Sequence, residues 1–232
     1  MSASGRWWRL AAVAVVAVLV AALVGVVVAF PSVAAITCPG CYGLEQERPG
    51  LYVEPGLTAV QHREVIHAVD EGTQRVKEYF GDLRSEPDVL VCLTEECYTR
   101  IGGGRERGIA VLYRAVMLSP RGIDPVIAAH ELTHVELRAR LGRASVPQWF
   151  DEGLAVLVSD DPRYLLPEGA PDRCRVEPTG PLPETLDAWL RDAGEDAQVY
   201  AQAACVVSRW TAWNDLHGLI AHLAAGGAFP QS

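Results

Sequence analysis

The sequence predicts an α+β domain behind an N-terminal transmembrane helix. Three observations carry this expectation. The run Leu10–Phe30, "LAAVAVVAVLVAALVGVVVAF", holds no charge, and as a helix it would span about 30 Å, the thickness of a bilayer core. The segments "DVLVCLT" (Asp88–Thr94) and "IAVLYRAVMLS" (Ile109–Ser119) are rich in β-forming residues and read as strands. Helical patterns dominate from Asp124 onward, and the last third of the chain, from Glu184, reads as helical.

Arg6 and Arg9 precede the apolar run. The positive-inside tendency then places residues 1–9 in the cytoplasm and the remainder outside it, as a single-pass protein of the cell membrane with residues 10–30 as a signal anchor. The alternative is a cleaved signal peptide, for which "VAA" at Val33–Ala35 could serve as the cleavage site. The length of the run favours retention. The residues before Cys38, "AIT", make a poor lipobox. Residues 31–50, including "CPGCYGLEQERPG", are rich in Gly and Pro and read as a stalk. They lead into a strand at Leu51–Val53 and a domain over residues 51–232.

Within that domain, Leu57–Phe80 reads as a helix with Val65, Val69, Val76 and Phe80 on one face and Gly81 as its stop. His62 and His67 lie on this helix but not four apart, which suits surface or partly buried histidines. "RIGGGRERG" lacks the Lys and Ser or Thr of a P-loop and reads as a flexible connection. Asp124 is placed to cap a helix with Pro125 at its first position. That helix runs to about Leu141, where Gly142 ends it. Pro147 opens another, "PQWFDEGLAVLVS". A Pro-rich segment over Pro162–Pro183 separates it from helices at Val199–Trp213 and Leu216–Ala225.

The formal charge is −9, and Arg6 and Arg9 are the only charges before the stalk, so without those two it becomes −11. An acidic domain is a poor candidate for nucleic acid or an anionic membrane surface. The six cysteines are Cys38, Cys41, Cys92, Cys97, Cys174 and Cys205. An even count in an exported chain suggests disulfides, and local pairing is the simplest of the possible connectivities: Cys38 with Cys41, Cys92 with Cys97, Cys174 with Cys205. A zinc site at "CPGC" would need a second pair at similar spacing, and none exists.

The chemistry concentrates in "PVIAAHELTHVEL", Pro125–Leu137. His130 and His134 stand one helical turn apart and project from one face, which Leu137 and Leu141 continue towards the interior. Two imidazoles at i, i+4 with Glu131 between them suit a metal, and a catalytic zinc takes three protein ligands plus water. Glu152, in "WFDEGLA" on the next helix, is the candidate third ligand.

"HELTHVEL" and "WFDEGLAVLVS" together resemble the gluzincins, zinc peptidases with two His and one Glu as ligands, and in particular the small thermolysin-type domains described as peptidase MA-like. The resemblance covers about residues 105–225 and is strongest over 127–158. It implies a zincin-like catalytic domain: a small mixed sheet with an active-site helix, then a helical C-terminal lobe. It also implies one zinc ion per chain held by His130, His134 and Glu152, with Glu131 as general base and a polypeptide as substrate. A downstream tyrosine supplies an oxyanion donor in many gluzincins, which here falls on Tyr200; Tyr113, Tyr164, His217 and His222 are weaker candidates for a catalytic role. The strand Ile109–Ser119 would bind substrate backbone by β-addition or serve as a plain core strand. Glu136 departs from the family pattern, either as a hydrogen-bond partner of a ligand or as part of the solvated helix face. The alternatives to a membrane-anchored peptidase are a non-catalytic exported domain that binds an envelope partner, and a domain stapled by structural zinc. Oligomeric state is not legible in the sequence.

Overall fold

The computed structural model describes residue 8 and residues 12–18, 25 and 27–230. The five strands are β1 (Glu45–Arg48), β2 (Leu51–Val53), β3 (Asp88–Val91), β4 (Gly108–Val111) and β5 (Ala115–Leu118), ordered β1-β2-β3-β5-β4. β2, β3 and β5 run parallel, whereas β1 and β4 join the two edges antiparallel.

The parallel centre requires crossovers. The β2-to-β3 connection is made by helix α2 (Ala59–Phe80), which follows the short α1 (Pro31–Thr37) in the chain. Its start is set by a reciprocal cap: the Thr58 side chain accepts from the Gln61 N–H, and the Gln61 side chain accepts from the Thr58 N–H. The helix α3 (Glu95–Arg100) follows β3. After β5 come α4 (Pro125–Leu141), α5 (Gln148–Ser159), α6 (Leu186–Glu195), α7 (Gln198–Trp213) and α8 (Leu216–Ala224). The Asp124 side chain accepts from the Val126 N–H at 2.7 Å and so caps α4.

Strand alternation gives the sheet two apolar faces. Leu51, Val53, Val89, Val91, Val116 and Leu118 meet Val65, Val69 and Val76 of α2 and Ile127, Leu132 and Val135 of α4 in the main core. Leu90, Cys92 and Met117 point the other way, against Ala35, Leu44, Tyr98 and Ile101. The stretch expected to be a stalk is therefore folded onto the sheet, through buried Ala35 and Leu44 and through β1.

The expected fold, a zincin-like α+β domain behind a transmembrane helix, is corrected to a mixed α/β domain around this five-stranded sheet. Among the described residues no helix is long and apolar enough to cross a membrane. The expected span Leu10–Phe30 lies partly outside the described residues. The helix that follows it, α1, covers only about 10 Å, a third of a bilayer core. The expected signal anchor, the membrane partner, the cytoplasmic N-terminus and the single-pass placement lose their support with it.

A second difference concerns the strand expected over Ile109–Ser119. It is a hairpin, β4 and β5, turned at Leu112 and Tyr113, which have φ of 50° and 53°. The Arg114 N–H closes the turn on the Val111 carbonyl at 3.0 Å. A turn of this hand normally uses Asn or Gly, and neither is present, so alternation alone suggested one continuous strand. The three disulfides join Cys38–Cys41, Cys92–Cys97 and Cys174–Cys205, the local pairing expected.

Candidate metal centre

Helices α4 and α5 carry the site, and their close crossing with neighbouring helices sets it. Gly153 follows Glu152, and a Cβ there would stand 2.6 Å from the Ala203 carbonyl oxygen of α7. Only glycine lets α5 approach α7 this closely. That contact fixes the rotation of α5, which turns Glu152 towards α4.

The structure brings His130, His134 and Glu152 together. The Glu152 Oε2 lies 3.3 Å from His130 Nε2 and 3.8 Å from His134 Nε2, and one donor atom from each residue falls within 4.8 Å of the others. Tetrahedral zinc with bonds of 2.0–2.1 Å places its ligands about 3.3–3.4 Å apart. The first pair meets that spacing and the second needs a movement of a few tenths of an ångström. Two imidazole nitrogens and a carboxylate oxygen also match the donor chemistry zinc accepts. The residues therefore fit the metal.

Two of the three candidate ligands are held by a neighbour. His134 Nδ1 is 2.8 Å from Asp151 Oδ1, which fixes the tautomer that leaves Nε2 free for a metal. Gln148 donates to Glu152 Oε1 at 3.0 Å, leaving Oε2 towards the histidines. Burial opposes charge on His134, but Asp151 and Glu152 outweigh it and push its pKa up to about 10. Burial likewise opposes charge on Glu152, yet His134 and His130 hold its carboxyl below the ordinary value. Without metal the cluster is thus a protonated imidazole between carboxylates.

Glu131 lines the same cleft, whose volume is about 340 Å³. Desolvation raises its pKa above the usual carboxylate value, and His130 and His134 oppose that rise. The Ala110 backbone N–H of β4 also opposes that rise. Tyr200, on α7, also lines the cleft, with its ring 6.4 Å from that of His130. Tyr164 stacks on Tyr200 at 5.2 Å and Trp189 meets its edge at 4.9 Å. Burial, then the charge of Glu152, raises the Tyr200 pKa, so its hydroxyl keeps its proton. Among the described residues β4 is an edge strand of the sheet and forms one wall, where Gly108, Ile109 and Ala110 line the cleft; Leu186 and Leu190 of α6 form another.

Of the weaker candidates, Tyr113 lines the cleft at the hairpin tip and Tyr164 reaches it only through Tyr200. His217 packs edge-on against Phe80, and neither it nor His222 lines the cleft. Glu136 is fully buried and bonds no metal-facing residue: it accepts from the Arg84 and Ser85 backbone N–H groups, the Ser85 hydroxyl and Arg140. Both expectations for Glu136 are thereby corrected, since its partners are Arg140 on its own helix and a loop far away in sequence.

Sequence reasoning missed Asp151 and Gln148. The signal for Gln148 was present, four residues before Glu152 on one helix face; Asp151 is recognisable only once α5 is known to cross α4. A larger cavity of about 490 Å³ lies between α2 and the segment Leu83–Val89, lined largely by Leu51, Val69, Val76, Val89 and Leu132. It gathers no converging ligands, so chemistry, not size, locates the site. Among known proteins, no family model, no curated protein and no solved structure matches the chain. What can be said of its function rests on the geometry of His130, Glu131, His134 and Glu152.

Proposed function

We propose that the protein is a zinc-dependent peptidase with a gluzincin-type ligand set, His130, His134 and Glu152, binding one zinc ion per chain. The observation that carries this reading is the convergence of three donor atoms at ligand spacing beside a fourth side chain, Glu131, that is not needed to hold the metal. Zinc bound there would lower the pKa of a water and polarise a carbonyl oxygen.

Glu131 supplies the general base. A carboxylate raised by burial takes a proton from the attacking water more readily than an exposed one, and returns it to the departing amine. Tyr200 supplies a hydroxyl donor for the oxygen on which negative charge develops, and its raised pKa keeps that proton in place. The β4 edge offers backbone groups to an extended peptide. Leu186 and Leu190, both more than half exposed, face that edge across the cleft.

The test is cleavage of fluorescein-labelled casein by zinc-loaded protein, with and without chelator. Glu131→Gln is expected to retain about one zinc per chain and to lose on the order of 10²–10⁴ in kcat. Undiminished cleavage by that variant would refute the mechanism. Absence of zinc binding by the parent would refute the metal centre.

A further inference from the structure

The general base is seated by the edge strand, and the seat requires a glycine. Gly108 is buried at the start of β4. A Cβ at this position would lie 2.8 Å from Glu131 Cγ, 3.2 Å from Glu131 Oε1 and 3.1 Å from Ile127 Cγ2. The first distance is below any real carbon contact, and Cγ is not the free tip of a flexible chain. A side chain at residue 108 therefore displaces either Glu131 or the strand.

Ala110 supplies the other half of the seat. Its N–H lies on the side of the Glu131 carboxylate and favours the charged form. The β4/β5 ladder does not use that donor. Gly108, Ile109, Ala110 and Val111 face Leu118, Met117, Val116 and Ala115. The Ser119 N–H donates to the Arg107 carbonyl at 2.8 Å. Alternation in an antiparallel pair then turns the backbone groups of Ile109 and Val111 towards β5 and those of Gly108 and Ala110 outward. One outward residue clears space for Glu131, and the other turns its N–H to the same side.

We infer that Gly108 is a positioning residue for Glu131, acting with the Ala110 N–H to hold the carboxylate against β4 beside the metal ligands. This inference rests on the proposed peptidase reading, but the placement of Glu131 can be tested apart from catalysis. Neither Gly108 nor Ala110 offers a ligand atom, so altering them should leave metal binding alone. Displacing a catalytic group by about an ångström typically lowers rate on the order of 10²-fold.

The experiment compares the parent with Gly108→Ala, each loaded with zinc, by metal analysis, by steady-state kinetics on a peptide excised from casein, and by crystallography of the variant. The expected result is about one zinc per chain in both, kcat lower by on the order of 10²-fold in the variant with KM changed less than about threefold, and the Glu131 carboxylate withdrawn from the Ala110 N–H. Ala110→Pro serves should Gly108→Ala fail to fold. It removes an outward donor without breaking a ladder bond, as proline at a sheet edge permits, and is expected to lower kcat with zinc retained. Unchanged kcat in a folded variant, or a carboxylate still seated in the crystal structure, would overturn the inference. A parent that binds zinc but cleaves nothing would overturn the peptidase reading, and the crystallographic arm would still decide the seat.

Discussion

Helix α4 borders two groups of polar side chains on different faces, and they differ in what their lone pairs do. On one face Glu136 and Arg140 form a closed set. Glu136 accepts from Arg84, Ser85 and Arg140, while Arg140 also reaches the side chain and carbonyl oxygen of Asp82. Every strong acceptor has a protein donor, and the segment after α2 is pinned to α4. On the other face, His130, His134 and Glu152 leave donor atoms pointing at one another across 3.3–3.8 Å. The outer atoms of His134 and Glu152 are held by Asp151 and Gln148. Burial alone does not separate a clamp from a binding site; the direction of the unshared atoms does.

Four substitutions or perturbations sharpen that contrast. The largest effect is expected from Glu152→Ala, which removes one of three ligands. Zinc per chain should fall from about one to background, with cleavage lost, as measured by metal analysis after gel filtration. Retained zinc would move the third ligand elsewhere. Next is Glu136→Ala, which leaves Arg140 with Asp82 alone and takes the acceptor from the Arg84 and Ser85 N–H groups. Breaking a buried pair this way costs about 3–5 kcal/mol, read as a lower urea midpoint, with zinc content of the folded protein unchanged. If zinc is lost while stability holds, the two faces are not separate.

Asp151→Asn is expected to weaken zinc affinity about 10–100-fold, measured by competition with a chromophoric chelator, with little change in folding. The smallest effect is in pH. The His134 pKa is raised from 6.5 to about 10 in the metal-free protein. Its contribution to stability is therefore present in full below the unfolded value and is lost as pH rises through the folded one. The metal-free protein should lose thermal stability between about pH 6.5 and 10, and the His134→Gln variant should lose less over the same range. Zinc-loaded protein should show the opposite preference, since metal must displace that proton.

Much of the central fold was legible. Gly81 at the end of α2, and Asp124 with Pro125 at the start of α4, are local signals whose partners lie within a few residues, and the structure bears them out. His130, Glu131 and His134 were legible as a constellation for the same reason, and Glu152 through its position in a short motif. What was hidden depended on distant partners or on strain. The turn at Leu112–Tyr113 uses neither Asn nor Gly, so nothing local announces it. Glu136 looked like either a partner of a metal ligand or a surface charge because Arg84 and Ser85 reach it from another element. The stretch over residues 31–50 looked like a tether because its Gly and Pro content describes conformation but not packing, and Ala35 and Leu44 pack.

The placement of the sulfur bridges has a practical consequence. None of them begins or ends on α4 or α5, whereas Cys205 lies on the helix that presents Tyr200 and is tied to Cys174. Closing a loop of this separation, 31 residues, contributes about 3–4 kcal/mol. Mild thiol treatment should therefore loosen the hydroxyl-bearing half of the cleft while the imidazole half stays assembled, giving a preparation that still takes up zinc but turns over slowly.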